Sequence, residues 1–263
     1  MSSILLKIVK KKYEEVDEAK RRRSLKQVQS ELTDAPMPRD FLGALKGYPK
    51  IRLIAEVKKA SPSKGVIRQD FDPVAIAKAY EAAGAAALSV LTDEHFFQGH
   101  LDYLKEVRKH VSIPILRKDF IIDEYQVWEA RAAGADAILL IAECLTTNKL
   151  RDLLELAESL QMTALVEFHD AESLPVVLQA KARLVGVNNR DLNTFEVDLG
   201  HVVRMRSQIP KEITLVGESG IASRQDAIYL QGHGIDAMLV GESLMRKADI
   251  CAATCELLGK STS

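Results

Sequence analysis

The chain has 263 residues, and its 36 Lys and Arg against 37 Asp and Glu give a formal net charge of −1 and a pI near 6.6. This balance excludes a protein that coats a polyanion, because neutralising nucleic-acid phosphates requires a surplus of basic side chains on one face. A hydrophobic fraction of 47% with 28% charged residues is typical of a globular protein, neither disordered nor embedded in a membrane.

Three cysteines, Cys144, Cys251 and Cys255, are too few and too scattered for a disulfide framework. They also lack histidines at the spacing of a zinc site. Reduced cysteines are typical of the cytosol, and the N-terminus does not resemble a secretory signal. We therefore expect a cytoplasmic protein without a bound metal.

The first fifty residues differ from the rest and are expected to form an N-terminal helical extension. From Ile4 to about Leu32 the sequence is rich in Lys, Arg and Glu, and its apolar residues are widely spaced. Two prolines at positions 36 and 38 end the helical pattern, because proline cannot continue a helix. The pattern predicts one polar helix with a narrow buried stripe, formed by Leu5, Ile8, Val9, Val16 and Leu25.

After residue 50, short aliphatic runs alternate with amphipathic helical patterns. This repetition is typical of parallel strands joined by crossover helices, and eight is the number of units at which such a sheet closes into a (β/α)8, or TIM, barrel. The chain is therefore predicted to be an α/β protein in which residues 1–263 form a single barrel domain, with residues 1–50 as the helical extension. The predicted strands are Leu53–Val57, Ala86–Leu91, Pro114–Leu116, Ala137–Ile141, Thr163–Val166, Leu184–Val187, Thr214–Val216 and Ala237–Val240.

Two observations favour a closed barrel over a doubly wound open sheet. Gly84, Gly134 and Gly234 recur at the ends of predicted helices, where a left-handed conformation turns the chain into the next strand. A doubly wound sheet usually has a glycine-rich turn after its first strand. Here residues 58–65 read KKASPSKG instead.

Polar residues end five of the predicted strands. Because the chemistry of a (β/α)8 barrel occupies the C-terminal ends of its strands, these residues are candidates for an active site. The strand period of two places Glu56 and Lys58 on one face of the first strand, and Lys118 and Phe120 on one face of the third. The remaining candidates are Glu167 at the fifth strand, Asn188 at the sixth, and Glu218 and Ser219 at the seventh.

Each of these charges alone is better explained by solvation at a strand end, since charged side chains are mostly exposed. An ion-pair network that only holds loops is a second explanation. Acids and bases that converge from five strands favour catalysis, because neighbouring charges shift each other's pKa values and so produce general acids and bases near neutral pH.

Glycine-containing turns follow the seventh and eighth predicted strands. Gly220 lies in the sequence GESG, and Gly241 and Ser243 lie in the sequence GES before a helix that begins at Leu244. Loops at these two places commonly bind phosphate in this barrel, because backbone amides and a helix N-terminus face the anion. Either motif alone is equally well explained as a helix cap, but the pair predicts a phosphate site at Gly220, Gly241 and Ser243.

Aromatic residues point to an organic ligand at the same end of the barrel. Phe96 and Phe97 lie in a polar segment that is predicted to be a loop, where adjacent aromatic side chains can cover an aromatic substrate. His95, His100 and His169 also fall in loops on this side, but their spacing does not match a metal site.

Four motifs stand out in the sequence: residues 54–65 (IAEVKKASPSKG), 114–120 (PILRKDF), 186–192 (GVNNRDL) and 217–221 (GESGI). They closely resemble the motifs of the indole-3-glycerol-phosphate synthase family of tryptophan biosynthesis, and the resemblance extends over essentially the whole chain. It implies a decarboxylating ring closure, in which 1-(2-carboxyphenylamino)-1-deoxyribulose 5-phosphate loses carbon dioxide and water to give indole-3-glycerol phosphate.

The resemblance also implies roles for the candidate residues. Lys118 is expected to be the general acid of the condensation, and Lys58, paired with Glu56, to hold the substrate carboxylate or to act in the later dehydration. Glu167 resembles the family's acid or base for removal of the hydroxyl group as water. The other expected substrate contacts are Asn188, Glu218 and Ser219 at the sugar hydroxyls, Phe97 and Phe120 at the ring, and Ser61 and Arg190 at the rim of the phosphate site.

No metal or organic cofactor is expected, because the ring nitrogen of the substrate supplies the electrons. We expect a small phosphorylated substrate, no nucleic-acid or membrane partner, and a monomer. Two alternatives stay open. One is another phosphate-binding barrel enzyme such as phosphoribosylanthranilate isomerase, which would not need two lysines and Glu167 at separate strand ends. The other is a non-catalytic barrel that binds a sugar phosphate.

Overall fold

The computed structural model describes residues 3–191 and 194–261, so Leu192 of the third motif lies outside the described residues. Eight parallel strands form a closed barrel, in which each strand pairs with its neighbours in the chain and the first pairs with the last. The predicted (β/α)8 barrel is confirmed, and closure excludes a doubly wound sheet. The strands are β1 Arg52–Val57, β2 Ala87–Leu91, β3 Ile115–Lys118, β4 Ala137–Ile141, β5 Thr163–Phe168, β6 Leu184–Asn188, β7 Thr214–Glu218 and β8 Ala237–Val240.

Helices surround the barrel, and a small antiparallel hairpin, Ala60–Ser61 with Gly65–Val66, follows β1. In the described part of the chain, no helix is both long and apolar enough to cross a membrane. The helices are α1 Ser3–Arg22, α2 Leu25–Ser30, α3 Pro73–Ala83, α4 Glu94–Phe97, α5 Leu101–His110, α6 Glu124–Ala132, α7 Thr147–Ser159, α8 Leu174–Gln179, α9 Gly200–Arg206, α10 Arg224–Gly232, α11 Glu242–Met245 and α12 Ile250–Leu258.

Several strands extend further than the aliphatic runs predict. Lys118 is paired with Leu91 of β2, and Asn188 of β6 is paired with Glu218 of β7. These polar residues continue the ladder because backbone pairing does not depend on whether the side chain is apolar. Five of the functional candidates, Glu56, Lys118, Glu167, Asn188 and Glu218, therefore lie on the strands themselves, where the barrel holds them more rigidly than a loop would.

The N-terminal extension differs from the prediction of one helix up to about Leu32. Helix α1 ends at Arg22, and α2 begins at Leu25 after a break at Ser24. The cause is a capping box: the Gln27 amide donates to Ser24 Oγ, and the Ser24 amide donates to Gln27 Oε1. The buried stripe is confirmed for Leu5, Ile8, Val9 and Val16, whereas Leu25 is only half-buried.

The extension reaches both ends of the barrel. Ile4, Leu5 and Ile8 of α1 line the cavity at the C-terminal ends of the strands. Phe41 and Leu45 instead join the core inside the barrel, and both are buried. Ala44 accepts a hydrogen bond from Arg52 Nε at the start of β1, so Phe41 and Leu45 close the opposite, N-terminal end.

Asp136, just before β4, anchors the extension at this closed end. Its carboxylate accepts hydrogen bonds from the Arg39 amide at 2.6 Å, the Ile115 amide at 2.7 Å and the Arg108 guanidinium at 2.6 Å. Arg108 also donates to the carbonyl of Met37. Because Asp136 is fully buried, its charge depends on these donors.

The glycine prediction is also confirmed. Gly84, Gly134 and Gly234 have φ values of +91°, +85° and +76°, which are strained for residues with a side chain. At these points the chain reverses from a helix into β2, β4 and β8 respectively. The repeat seen in the sequence therefore reflects the turn that each unit needs.

Candidate active site

All fourteen predicted site residues line one cavity of about 550 Å³ at the C-terminal ends of the strands. For the five that lie on barrel strands, the alternation of strand residues is responsible, because it turns these polar side chains toward the barrel axis while the flanking residues pack against helices. The fourteen are Glu56, Lys58, Ser61, Phe97, Lys118, Phe120, Glu167, Asn188, Arg190, Glu218, Ser219, Gly220, Gly241 and Ser243.

Three charged side chains meet inside this cavity. Nζ of Lys118 lies 2.6 Å from Glu167 Oε2 and 3.0 Å from Glu218 Oε2. Glu167 and Glu218 are only 5% and 2% exposed. One ammonium group therefore contacts two carboxyl groups in a buried environment, where electrostatic interactions are stronger than in water.

Glu167 and Glu218 share Lys118 but have pKa values that shift in opposite directions. Burial disfavours the charged form of Lys118, but Glu167 and Glu218 outweigh burial and raise the Lys118 pKa. Burial also opposes ionisation of Glu167, yet Lys118 and hydrogen bonds lower the Glu167 pKa. Burial and the adjacent charge of Glu167 raise the pKa of Glu218 to about 8, against the attraction of Lys118. The two carboxyl groups therefore differ in proton affinity: Glu167 favours the carboxylate, and Glu218 favours the neutral acid.

Asn188 holds Glu167 from the neighbouring strand. Its Nδ2 donates to Glu167 Oε1 at 3.1 Å, and its Oδ1 accepts from the Arg190 amide at 3.0 Å. The carbonyl of Asn188 lies 2.7 Å from Nδ1 of His169. Glu167 is thus fixed by a cation on one oxygen and an amide on the other, which restricts its rotation.

A second acid–base pair lies on β1 and its following loop. Lys58 Nζ is 2.5 Å from Glu56 Oε1, as the strand period predicted. The carboxyl group of Glu56 also packs against Gly241, where an ideal Cβ would lie 2.4 Å from Glu56 Oε1. The backbone of the loop after β8 therefore approaches this pair as closely as only glycine allows.

The two predicted phosphate loops converge on the same side of the cavity. Ser219 and Gly220 both have left-handed backbones, with φ of +66° and +80°. Gly241 and Ser243 stand at the start of α11, which begins at Glu242 and not at Leu244 as the sequence pattern predicted. The Ser243 hydroxyl donates to the Ile221 carbonyl at 2.8 Å and so joins the two loops.

Ser61 and Arg190 lie at the rim. The Ser61 hydroxyl is buried without a hydrogen-bond partner among the residues described. Arg190 donates to the Phe195 carbonyl and lies 3.8 Å from Glu242 Oε2, while Glu242 also accepts from Arg246. The carboxylate of Glu242 therefore contacts these two arginines. Its negative charge is directed away from the backbone amides of the turn at residues 241–243, which can then bind an anion.

Two aromatic rings of the cavity lining lie close together. The ring centroids of Phe97 and Phe120 are 6.1 Å apart. Phe97 belongs to the short helix α4, so the prediction of a loop from Thr92 to Gly99 is wrong in part. The helix forms because Asp93 caps it, accepting from the Phe96 amide at 2.8 Å.

The histidines do not form a metal site. His100 caps α5 through Nδ1, and the His95 ring packs on Phe96. Within residues 3–191 and 194–261, no group of three His, Cys, Asp or Glu side chains is placed to hold a metal ion.

Sequence reasoning missed Lys12 of α1, which is only 4% exposed. Lys12 occupies the same helical face as Ile8 and Val16, four residues away on either side, and this spacing is the signal that could have identified it. Its Nζ lies 2.9 Å from Asp119 Oδ1 and 2.9 Å from Asp93 Oδ2. Burial lowers the Lys12 pKa, but Asp119, Asp93 and Glu15 together raise it by more.

Comparisons with known proteins agree with this geometry. The family profile described as "Indole-3-glycerol phosphate synthase" matches residues 5–257. A protein of that name from Rhodopirellula baltica is 58% identical over 225 residues, covering 86% of this chain and 87% of the relative. Another of that name from Polaromonas naphthalenivorans is 48% identical over 265 residues, covering 99% of this chain and 100% of the relative.

Solved structures of lower identity share the barrel. A crystal structure of a 3-hexulose-6-phosphate synthase superposes with a TM-score of 0.62 at 15% identity, covering 80% of this chain and 99% of the other. A thiamine phosphate pyrophosphorylase from Pyrococcus furiosus gives a TM-score of 0.60 at 17% identity, covering 80% of this chain and 94% of the other. These likenesses show the fold alone. The family match and the two close relatives show more: the chain belongs to the indole-3-glycerol phosphate synthase family.

Proposed function

We propose that the chain converts 1-(2-carboxyphenylamino)-1-deoxyribulose 5-phosphate to indole-3-glycerol phosphate, carbon dioxide and water. The observation that carries this proposal is the position of Lys118, whose ammonium group is shared by Glu167 and Glu218 inside the cavity. Ring closure needs a proton donor and a proton acceptor within reach of one another, and these three groups supply both. The family match does not favour the isomerase or a non-catalytic barrel.

The cavity suits the three parts of this substrate. Its phosphate fits the amides of the turns at Gly220, Gly241 and Ser243, because unpaired backbone amides bind anions. Its aromatic ring fits against Phe97 and Phe120, which both line the cavity. Its carboxylate requires a cation, and Lys58, which lines the cavity beside Glu56, can supply one.

In the first step, the aromatic carbon that bears the carboxylate attacks the ketone carbon, driven by the lone pair of the substrate nitrogen. As the C–C bond forms, the carbonyl π electrons move to oxygen, which takes a proton from Lys118 Nζ. Loss of carbon dioxide returns the electrons of the broken bond to the ring and restores aromaticity. Glu218, neutral and 3.0 Å away, returns a proton to Lys118.

In the second step, the new hydroxyl group takes a second proton, here from Lys58, and leaves as water with the electrons of the C–O bond. Glu167, the ionised carboxylate, removes one proton from the methylene carbon beside the nitrogen, which forms the indole double bond. Two protons enter and one leaves, so each turnover consumes one proton. A neutral acid beside the catalytic lysine matches that demand.

We also propose the remaining features that follow from this function. The chain acts as one barrel domain with its helical extension, as a monomer in the cytoplasm, on a small phosphorylated substrate, without nucleic-acid or membrane partners. Asn188, Ser219, Ser61 and Arg190 orient the sugar and the phosphate. The substrate nitrogen supplies the electrons, so the residues of this chain carry the proton transfers without a cofactor.

The test is turnover of the carboxyphenylamino substrate by the purified chain without added metal, followed by the absorbance of the indole product. We expect turnover by the wild type and a loss of about 10³-fold in kcat for Lys118→Ala, the size typical of a lost general acid. Full activity of Lys118→Ala would contradict the mechanism. Substrate binding without turnover by the wild type would favour the non-catalytic barrel.

A further inference from the structure

Lys12 is buried although it belongs to α1, the helix at the beginning of the described chain. Its side chain is about 5% exposed, and Nζ lies 2.9 Å from Asp93, 2.9 Å from Asp119 and 2.7 Å from Glu15. A lysine on a peripheral helix is usually solvated, because burying an ammonium group is costly unless carboxylates compensate. Three carboxylates around one lysine are more than anchoring a helix requires.

The two barrel carboxylates that Lys12 contacts each hold a part of the candidate active site. Asp93 caps the short helix that carries Phe97. Asp119 follows Lys118 directly and accepts from the Phe120 amide at 2.8 Å. The other oxygen of Asp119 accepts from Thr92 at 2.6 Å and from Arg117 at 3.2 Å.

We propose that Lys12 is a positioning residue for the ring-closure reaction, setting the distance between the Phe97 helix, the Lys118–Phe120 segment and the apolar wall of α1. The inference rests on the proposed function, since it assigns these groups to the aromatic half of the substrate. Ile8 lies one turn before Lys12 and lines the cavity together with Phe97 and Phe120. A single ammonium group therefore joins the three elements that surround the ring.

The charges around Lys12 explain why no neighbouring cation in the described structure can replace it beside Asp93. Asp119 is also paired with Arg117, which in turn faces Glu129. Asp93 has Lys12 as its only ion-pair partner among the described residues. Without Lys12, Asp93 would keep a buried charge without a cation, so either the helix at 94–97 moves outward or water enters beneath it.

The position of Lys12 predicts a selective effect. None of its three ion-pair contacts involves the turns at residues 217–221 or 240–243. Loss of Lys12 should therefore weaken binding of the ring while leaving binding of phosphate alone unchanged. A purely structural role would lower the free energy of unfolding without separating the two halves of the substrate.

The experiment compares Lys12→Met with Lys11→Met, a matched control one residue away whose lysine is 38% exposed and, among the described residues, forms an ion pair only with Glu14. The measurements are kcat and KM for the carboxyphenylamino substrate, inhibition by inorganic phosphate, binding of anthranilate by calorimetry, and the unfolding midpoint in urea. For Lys12→Met we expect KM to rise and anthranilate affinity to fall by about tenfold or more, because displaced substrate contacts cost at least that much. Phosphate inhibition should not change. Lys11→Met should match the wild type throughout.

Two results would overturn the inference. One is a Lys12→Met protein with wild-type KM and anthranilate affinity. The other is an equal loss of anthranilate and phosphate affinity, which would indicate general loosening. If Lys12→Met does not fold, Asp93→Asn replaces it, since it breaks the same contact without removing the cation, and the same split between anthranilate and phosphate is expected. Failure of the wild type to turn over the substrate would refute the proposed function, while the two binding measurements would still test the role of Lys12.

Discussion

The side chain of Glu218 on β7 lies across Gly186 on β6, so that an ideal Cβ at position 186 would be 2.1 Å from Glu218 Oε1. Gly186 is also paired in register with Glu167 of β5. The absence of a side chain at this point allows both carboxyl groups to reach the same lysine. A glycine in the interior of a strand, otherwise unfavourable, is explained by this approach.

Gly186→Ala should therefore impair catalysis by displacing the Glu218 carboxyl group from Lys118. We expect kcat to fall by about 10²-fold, the usual cost of a misplacement of roughly 1 Å at a reacting centre. The matched control is Gly217→Ala on the next strand, where a Cβ would meet only side-chain carbons at 3.5 Å or more. Steady-state kinetics of both variants checks the prediction. Equal activity of the two would show that the position of Glu218 is not critical.

Glu218→Gln should change how stability depends on pH. Burial raises the Glu218 pKa from 4.5 to about 8, so the folded protein holds a proton that the unfolded chain releases. The stability that this group contributes is fully present below 4.5 and is lost as the pH rises toward 8. Glutamine is neutral at every pH and keeps its contribution. Wild-type stability should therefore fall relative to Glu218→Gln across this range, as measured by urea unfolding at several pH values. A constant difference would mean that Glu218 is ionised throughout.

Gly241→Ala should weaken phosphate binding and disturb the pair on β1 together. A Cβ at position 241 would lie 2.4 Å from Glu56 Oε1 and 3.0 Å from Glu56 Cβ, so the loop and the side chain cannot both keep their positions. We expect KM for the substrate and the inhibition constant of inorganic phosphate to rise together, by about tenfold or more. Gly232→Ala is the control, because a Cβ there has no neighbour within 4 Å. Unchanged phosphate inhibition in Gly241→Ala would exclude this turn from the phosphate site.

Asp136→Ala should destabilise the protein without altering catalysis. The substitution leaves the buried Arg108 without its partner and removes the acceptor of the Arg39 and Ile115 amides, which should cost about 3 kcal/mol. Asp236→Ala is the matched control, since Asp236 precedes β8 in the same way but its carboxylate accepts a hydrogen bond only from the Leu215 amide in the described part of the chain. Its loss should be about 1 kcal/mol. Urea unfolding measures both, and kcat should be unchanged because both lie at the end of the barrel opposite the cavity.

The barrel and the cavity were predictable from the sequence for a simple reason. Each strand has its own local sequence pattern, and a parallel barrel places the C-terminal ends of all its strands on one side. Lys118 and Glu167 could therefore be assigned to one site although they are far apart in the sequence. The exact pairing was not predictable. Whether Lys118 contacts Glu167, Glu218 or both depends on side-chain reach across the barrel.

The N-terminal extension was harder to predict, because its contacts lie far away in the sequence. The spacing of Leu5 and Ile8 predicts that they are buried. The sequence of the helix does not show which part of the barrel covers them. Lys12 was missed because its residue type usually indicates solvent, whereas its position on the helix indicated burial. The break at Ser24 was readable, since Ser24 and Gln27 form a capping-box pattern within a run of helix formers.

Phe41 and Leu45 impose an order of events on the synthesis of this chain. They belong to the core inside the barrel, which includes residues of all eight strands, among them Ala237 of β8, made almost two hundred residues later. While the ribosome is still translating, part of the core around these two side chains has not yet been made, so their packing is completed only when the barrel closes. An early segment of the chain thus completes its packing only after β8, near the end of the described chain, has been made.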